Sequence, residues 1–289
     1  MAFLAHWKID EGIGGNPTTA IDDQGGGSGQ HDGTYDLPWG SAGLFPGGIG
    51  GKHLHLYSSG ASARGYIGSI GNPSDFRLLG IVSAMLWFHP DTYYGMTAAS
   101  DLKYLIGCTG ADDVGAAEND LWSVEAYFPN LLRVQWETAP GVRVTVTSNN
   151  DIYPENGWMH LAIVRYEVVA NKWGIKFYVN GALADTQDNA GAGWNPPVGG
   201  GSTLPLVGKA VSAYSPRSFN LDSVRVYDDE QSVAQILAIY NAEKPLFEGL
   251  PAADLSLPSR NLVVNQYQYA RVETGPNATT RENAGFSIV

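Results

Sequence analysis

Hydrophobic and polar positions alternate with a two-residue period along most of this chain. The clearest stretch is GWMHLAIVRYEVVANKWGIKFYVNG, residues 157–181, which reads as two strands joined by a polar turn. Successive side chains of a strand point to opposite faces. Met159, Leu161 and Ile163 therefore share one face, and His160, Ala162 and Val164 share the other. Both faces are mostly apolar, which predicts a strand covered on both sides. In the second strand Trp173, Ile175, Phe177 and Val179 face one way. Gly174, Lys176, Tyr178 and Asn180 face the other, making it a more polar and candidate binding surface. Asn180-Gly181 supplies the positive φ angles of a tight hairpin turn.

Strand-like runs recur before and after this hairpin, with turn signals between them. They are AHWKI, KHLHLY, GYIGSI, IVSAMLWFHP, KYLIGC, LWSVEAYF, LLRVQWET, VRVTVTS, LPLVGK and NLDSVRVYDD. No strands alternate with helices, so a parallel sheet is not expected. One helix is predicted in DDEQSVAQILAIYNAE, where Val233, Ile236, Leu237 and Tyr240 follow helical spacing. Asp228, Asp229 and Glu230 near its start suit the helix dipole, and the helix is expected to plug one end of the fold. At Pro245 the composition changes. Residues 245–289 hold many polar residues and little periodicity, and they read as a C-terminal arm after a domain of residues 1–244.

Composition agrees with many strands and many turns. The 289 residues include 36 Gly, 16 Pro and 11% aromatic residues. An apolar fraction of 44% excludes a wholly disordered chain. The formal net charge of −12 disfavours nucleic acid and anionic membrane surfaces as partners. Cys108 is the single cysteine, so no internal disulfide holds the fold, and a small buried hydrophobe is its expected role. The opening MAFLAHWKIDEG lacks the apolar run of a secretory signal, and no segment is apolar and long enough to insert in a membrane.

In series, these segments resemble the laminin-G-like, concanavalin A-like jelly-roll family. Trp7, Ile9, Asp10, Glu11 and Gly12 in WKIDEG are similar to its opening strand, and Asp22, Gly33 and Tyr35 to its first loop. Its hairpin is matched by Trp158, His160, Ala162, Val164 and Phe177 to Gly181. Its closing strand is matched by Asp222 and Val224 to Tyr227, with Ile236 beyond. One departure is Gln235, where an acidic residue is usual. The match covers roughly residues 4 to 242 and implies an all-β jelly-roll sandwich of two antiparallel sheets, with one short helix and an extended arm. It does not choose a function, because this fold hosts lectins, adhesion modules and glycoside hydrolases.

Related glucanases carry alternate carboxylates on one cleft-facing strand. Here AENDLWSVE offers Glu118, Asp120 and Glu125, but Glu125 lies an odd number of positions from Glu118 and falls on the opposite face of an unbroken strand. A polar turn leading into a strand is the plainer reading. His53 and His55 share a face but lack further ligands for zinc. His160 falls at a hairpin position where structural hydrogen bonding is expected. No nucleophile elbow or phosphate loop is visible. The resemblance makes calcium the expected cofactor, if any, with Asp22 or Asp23 and Asp222 as candidate ligands. Alternatively Asp22 caps a turn and Asp222 accepts backbone hydrogen bonds. Trp122, Tyr178 and Trp194 are the candidate platforms for a sugar, and Trp194 in AGAGWNPPVGG is the least obviously a core residue.

The expected function is non-catalytic binding or scaffolding. One form is a virion surface protein of a bacteriophage, attached to other particle subunits through the arm. Another is a glycan-binding adhesin module directed at cell-surface glycans and reaching the outside by a signal-independent route. A glycoside hydrolase or lyase is the least favoured.

Overall fold

The computed structural model describes residues 3–9, 19–20, 31–36, 42–46, 52–57, 66–68, 70–71, 82–90, 102–109, 122–127, 130–139, 142–149, 157–196, 204–210 and 218–247. In chain order its strands are β1 (Phe3–Trp7), β2 (Thr19–Ala20), β3 (Gly33–Asp36), β4 (Ala42–Pro46), β5 (Lys52–Tyr57), β6 (Tyr66–Gly68), β7 (Ser83–Pro90) and β8 (Leu102–Thr109). They continue with β9 (Trp122–Tyr127), β10 (Leu131–Ala139), β11 (Val142–Thr147), β12 (Met159–Val169), β13 (Lys172–Val179), β14 (Ala182–Gln187), β15 (Leu204–Ala210) and β16 (Ser218–Tyr227). One helix, α1 (Val233–Phe247), follows.

The strands form two antiparallel sheets of a jelly-roll sandwich. The first runs β14-β13-β12-β7-β16-β5-β4, with β1 also on β16, and the second runs β11-β10-β9-β8-β15-β6-β3-β2. Between them lies the core, in which Trp7, Phe88, Trp136, Phe177 and Phe219 are fully buried. Each such side chain contributes roughly 1.5–3 kcal/mol of apolar burial. The expected parity of β12 holds: Met159, Leu161 and Ile163 enter this core, while Ala162 and Val164 join a second cluster on the outer face of the first sheet.

The turn between β13 and β14 is the expected Asn180-Gly181 pair, at φ 51° and 79°. Gly181 is needed twice over, because a Cβ there would come within 2.8 Å of Leu237 Cδ1 on the helix. Helix α1 lies across the outer face of the first sheet rather than plugging an end. Ile236 packs with Met85, Ala162, Val164, Tyr178 and Tyr227, and Phe247 stacks on Trp87 with ring centroids 4.0 Å apart. On the more polar face of the hairpin α1 therefore covers Tyr178 and the turn at Gly181, while Lys176 on that face pairs with Glu230 instead.

The helix starts at Val233, the first residue of the predicted spacing, but beyond Asp228, Asp229 and Glu230, and no acidic residue lies in its first turn. Ser232 is its cap: Gln235 N–H donates to Ser232 Oγ at 3.3 Å, and Ser232 N–H donates to Gln235 Oε1 at 2.8 Å. Glutamine closes this reciprocal capping box as well as glutamate would, which accounts for the departure at 235. Val233 and Leu237 are half exposed, and the buried face is Ile236, Glu243 and Phe247. The helix passes through Pro245, three residues into the segment expected to be arm, and residues beyond 247 lie outside the described set. Among the described residues no helix is long and apolar enough to cross a membrane.

Beneath α1 the sheet buries polar groups. Strand β16 pairs with β7 along one edge, and on the other edge with β5 through Leu221 and with β1 from Val224. A bulge lies at this change of partner, with Ser223 at φ 47°. Ser223 Oγ is 3.0 Å from His6 Nε2 and donates to Glu243 Oε1 at 3.4 Å. Glu243 also accepts from the Arg225 guanidinium and, through Oε2 at 2.7 Å, from Trp87 Nε1. His160 is fully buried, and its ring nitrogens make no hydrogen bond among the described residues. Its imidazole packs edgewise on Trp87 at 5.5 Å, and its hydrogen bonding in the hairpin is made by the backbone, whose N–H donates to Asn180 Oδ1 at 3.0 Å.

Two outcomes follow from this layer. Removing Glu243 leaves Arg225 buried without its carboxylate, which costs about 3–5 kcal/mol. Glu243→Ala should show this loss in chemical denaturation, whereas an exposed Glu167→Ala should barely shift the midpoint. Burial first, and then the Arg225 charge, hold the His160 imidazole down at about 3. The unfolded chain takes up that proton near pH 6.5 and the folded chain does not. Stability is therefore full above pH 6.5 and falls as pH drops toward 3, by about 1.4 kcal/mol per unit for this one group. His160→Phe should flatten the slope of unfolding free energy between pH 6 and 4 by that amount; an unchanged slope would remove His160 as the cause.

Candidate functional site

The carboxylates expected from the glucanase comparison do not form a catalytic pair in the described structure. Glu118 and Asp120 lie outside the described residues. Glu125 is fully buried on β9, where it accepts from Ser123 Oγ at 2.5 Å and from Arg133 Nε at 2.5 Å. A general acid must reach a glycosidic oxygen, and this carboxylate is enclosed and already paired.

The expected ligand residues are scattered. Asp22 and Asp23 lie outside the described residues. Asp222 is fully buried in β16, directly across from Trp87. Among the described residues no three His, Cys, Asp or Glu side chains are grouped to hold a metal ion. Calcium takes about six to eight oxygens, and Asp222 supplies one carboxylate toward that number. The side chains of His53 and His55 also lie outside the described set. Trp122 is a core residue at the start of β9, and Tyr178 is covered by α1; neither is an exposed platform.

Trp194 is different. It is half buried at the edge of the core, edge-on to Trp136 at 6.4 Å. Its backbone exchanges two hydrogen bonds of 2.9 Å with Trp173. The loop is pinned again by Trp136 Nε1, which donates to the Asn195 carbonyl at 2.9 Å, and by Lys172 Nζ on Asn195 Oδ1. This strap closes one side of a cleft of about 340 Å³ at the end of the β12–β13 hairpin. Arg165, Glu167, Asn171, Trp173 and Glu230 line it, with Tyr166 at its outer wall.

The strands fix these groups. Glu167 pairs across the hairpin with Trp173, and Arg165 with Ile175. The Arg165 guanidinium carbon sits 3.8 Å from the Trp173 ring centroid. Burial lowers its pKa to about 10, so it stays cationic at neutral pH. Asn171 turns the chain at φ 58°, and its N–H donates to Glu167 Oε1 at 2.8 Å. Tyr166 lies on Gly174, where a Cβ would come within 2.6 Å of its ring, and Lys176 covers it at 4.4 Å. Lys176 Nζ donates in turn to Glu230 Oε1 at 2.8 Å.

A cleft with a stacked cation, two carboxylates and an amide can hold a polyhydroxylated molecule by directed hydrogen bonds. Sequence reading named Trp194, whose loop borders the cleft through Pro196, but it placed Trp173 on a strand's apolar face and missed Arg165, Glu167, Asn171 and Glu230. A signal for two of them was present: the core stripe Met159, Leu161, Ile163 continues in phase into Arg165 and Glu167. A polar residue on a core stripe marks the place where the core opens.

A family model described as the concanavalin A-like lectin/glucanases superfamily matches residues 69–237, more than half of the chain. No curated protein matches. Among solved structures the chain is similar to the receptor-binding domain of botulinum neurotoxin type G, with a TM-score of 0.54 and 11% identity over 84% of this chain and 51% of that one. It is similar also to the binding domain of botulinum neurotoxin DC in complex with SialylT (TM-score 0.57, 13% identity, 83% and 51%) and with rat synaptotagmin II (0.55, 12%, 83% and 51%). The chain spans about half the length of these structures. At such identities the likeness is one of fold.

Proposed function

Because the chain belongs to the concanavalin A-like lectin/glucanase superfamily, we propose that it is a non-catalytic binding module that holds a saccharide in the cleft beside Trp173. The observation carrying this is the cleft itself, where polar groups of a rigid hairpin surround a stacked cation. The burial and pairing of Glu125 count against hydrolysis. The fold neighbours are receptor-binding domains, one of them in complex with SialylT, which favours binding over catalysis.

A glycan array probed with the full chain tests the reading. Bound glycans should be lost with Asn171→Gly, which keeps the left-handed turn and removes the amide, and with Glu167→Ala, at an unchanged melting temperature. Hydrolysis of a bound polysaccharide that disappears in Glu125→Gln would overturn it.

The module is further proposed to serve on a particle surface, as in a bacteriophage virion, with the segment beyond the helix as its attachment. The support is compositional: Leu262, Val263, Val264, Tyr267 and Tyr269 lie in a stretch suited to strand addition on a neighbour. Because Phe247 is buried against Trp87, the test is truncation after 247 and not before it. The shortened chain should unfold cooperatively and keep its glycan binding, yet fail to join a particle or oligomer. Undiminished assembly would place attachment on the sandwich.

A further inference from the structure

The three other arginines whose side chains are placed, Arg133, Arg143 and Arg225, each pair with a glutamate: Glu125, Glu137 and Glu243. Arg165 does not. Its backbone N–H donates to the Val82 carbonyl at 2.8 Å. Among the described residues its guanidinium meets only the Trp173 ring. A guanidinium stacked on an indole keeps its in-plane N–H edge available, and that edge matches a carboxylate in bidentate fashion. Arg165 is only half buried at this cleft, and partial burial lowers its pKa to about 10, so it remains a cation with free donors at neutral pH.

The other groups of the cleft ask for something different. Glu167 and Glu230 are acceptors that need donors. Glu230 accepts one hydrogen bond from Lys176 at 2.8 Å, and Glu167 one from the Asn171 N–H at 2.8 Å. Each keeps lone pairs to spare. A neutral sugar would satisfy these acceptors and leave Arg165 without its anion. A bare inorganic anion would satisfy Arg165 and meet two carboxylates at the rim. A ring carrying one carboxylate and several hydroxyls satisfies both sets. The cleft, about 340 Å³, lies within the range of small-molecule sites, about 300–1,000 Å³.

We propose that the cleft selects acidic saccharides, pairing the sugar carboxylate with Arg165 while the ring hydroxyls donate to Glu167 and Glu230. The proposal rests on the saccharide-binding reading and narrows it to a chemical class.

The test uses matched pairs that differ in the carboxylate: methyl glucuronide against methyl glucoside, and sialyllactose against lactose, titrated calorimetrically into the full chain. At least one acidic member should bind about tenfold or more tightly than its neutral partner, the scale of one charge-assisted contact. Arg165→Gln should erase that gap without weakening the neutral sugar. Arg165→Lys should keep part of it, because charge remains and the fork is lost. Melting temperatures of both variants report folding separately. Equal binding within both pairs, or a gap untouched by Arg165→Gln, overturns acid selection and leaves the saccharide reading standing. Failure of every saccharide to bind overturns both. In that event an acidic peptide bound through Arg165 would assign the cleft to a protein partner.

Discussion

In a sheet covered on both faces, a charge caught between its strands and whatever covers them is costly unless it is partnered. The first sheet of this sandwich meets that constraint at Glu243. One carboxylate receives Arg225, the Trp87 indole and Ser223, while Ser223 reaches His6. Helix α1 is thereby tied to β1, β7 and β16 at once, and the apolar contacts of Ile236 and Phe247 flank that knot. The helix could not be moved or rotated without stranding a charge. Its position over the β13–β14 turn, against Gly181, follows from the same tie.

Covering one face in this way decides where a ligand can go. The cleft lies where the core runs out, at the far end of β12 and β13, beyond the part of the hairpin that α1 covers. There the inward positions pass from Ile163 to Arg165 to Glu167, and Trp173 and Pro196 close the side, with Trp136 and Trp194 packed behind Trp173. Scaffold and cleft are made by one stripe of residues whose chemistry changes along its length.

Much of the fold was legible because alternation reports burial directly: the hairpin, its Asn-Gly turn, and the strands from β7 to β13 follow from parity. The short strands β2, β3 and β4 were not seen, nor was β14 beyond the Asn-Gly turn that leads into it, because pairing rather than apolar pattern defines them. The helix was found and its face misjudged. Helical spacing assumes an apolar inner stripe, and this helix puts Glu243 inward and leaves Val233 and Leu237 half exposed. The cleft was half visible. Aromatic mass pointed to Trp194, Trp122 and Tyr178; the last two are covered, and the tryptophan that lines the cleft, Trp173, was read as a strand's apolar face. The polar lining is assembled across a turn, and Glu230 reaches it through the Lys176 pairing from over fifty positions away.

The bulge at Ser223 marks where β16 exchanges β5 for β1, and His6 and Ser223 lie 217 positions apart. A ribosome adding roughly 5–20 residues per second leaves β1 without its neighbour for about 10–40 s. During that interval the first strand, with Trp7 on it, has an open edge available to any other chain. Contacts this distant in sequence also make the closing search slow. Production of this protein should therefore be governed less by its final stability than by how long β1 must wait for β16, a kinetic exposure that a chaperone holding the first strand would relieve.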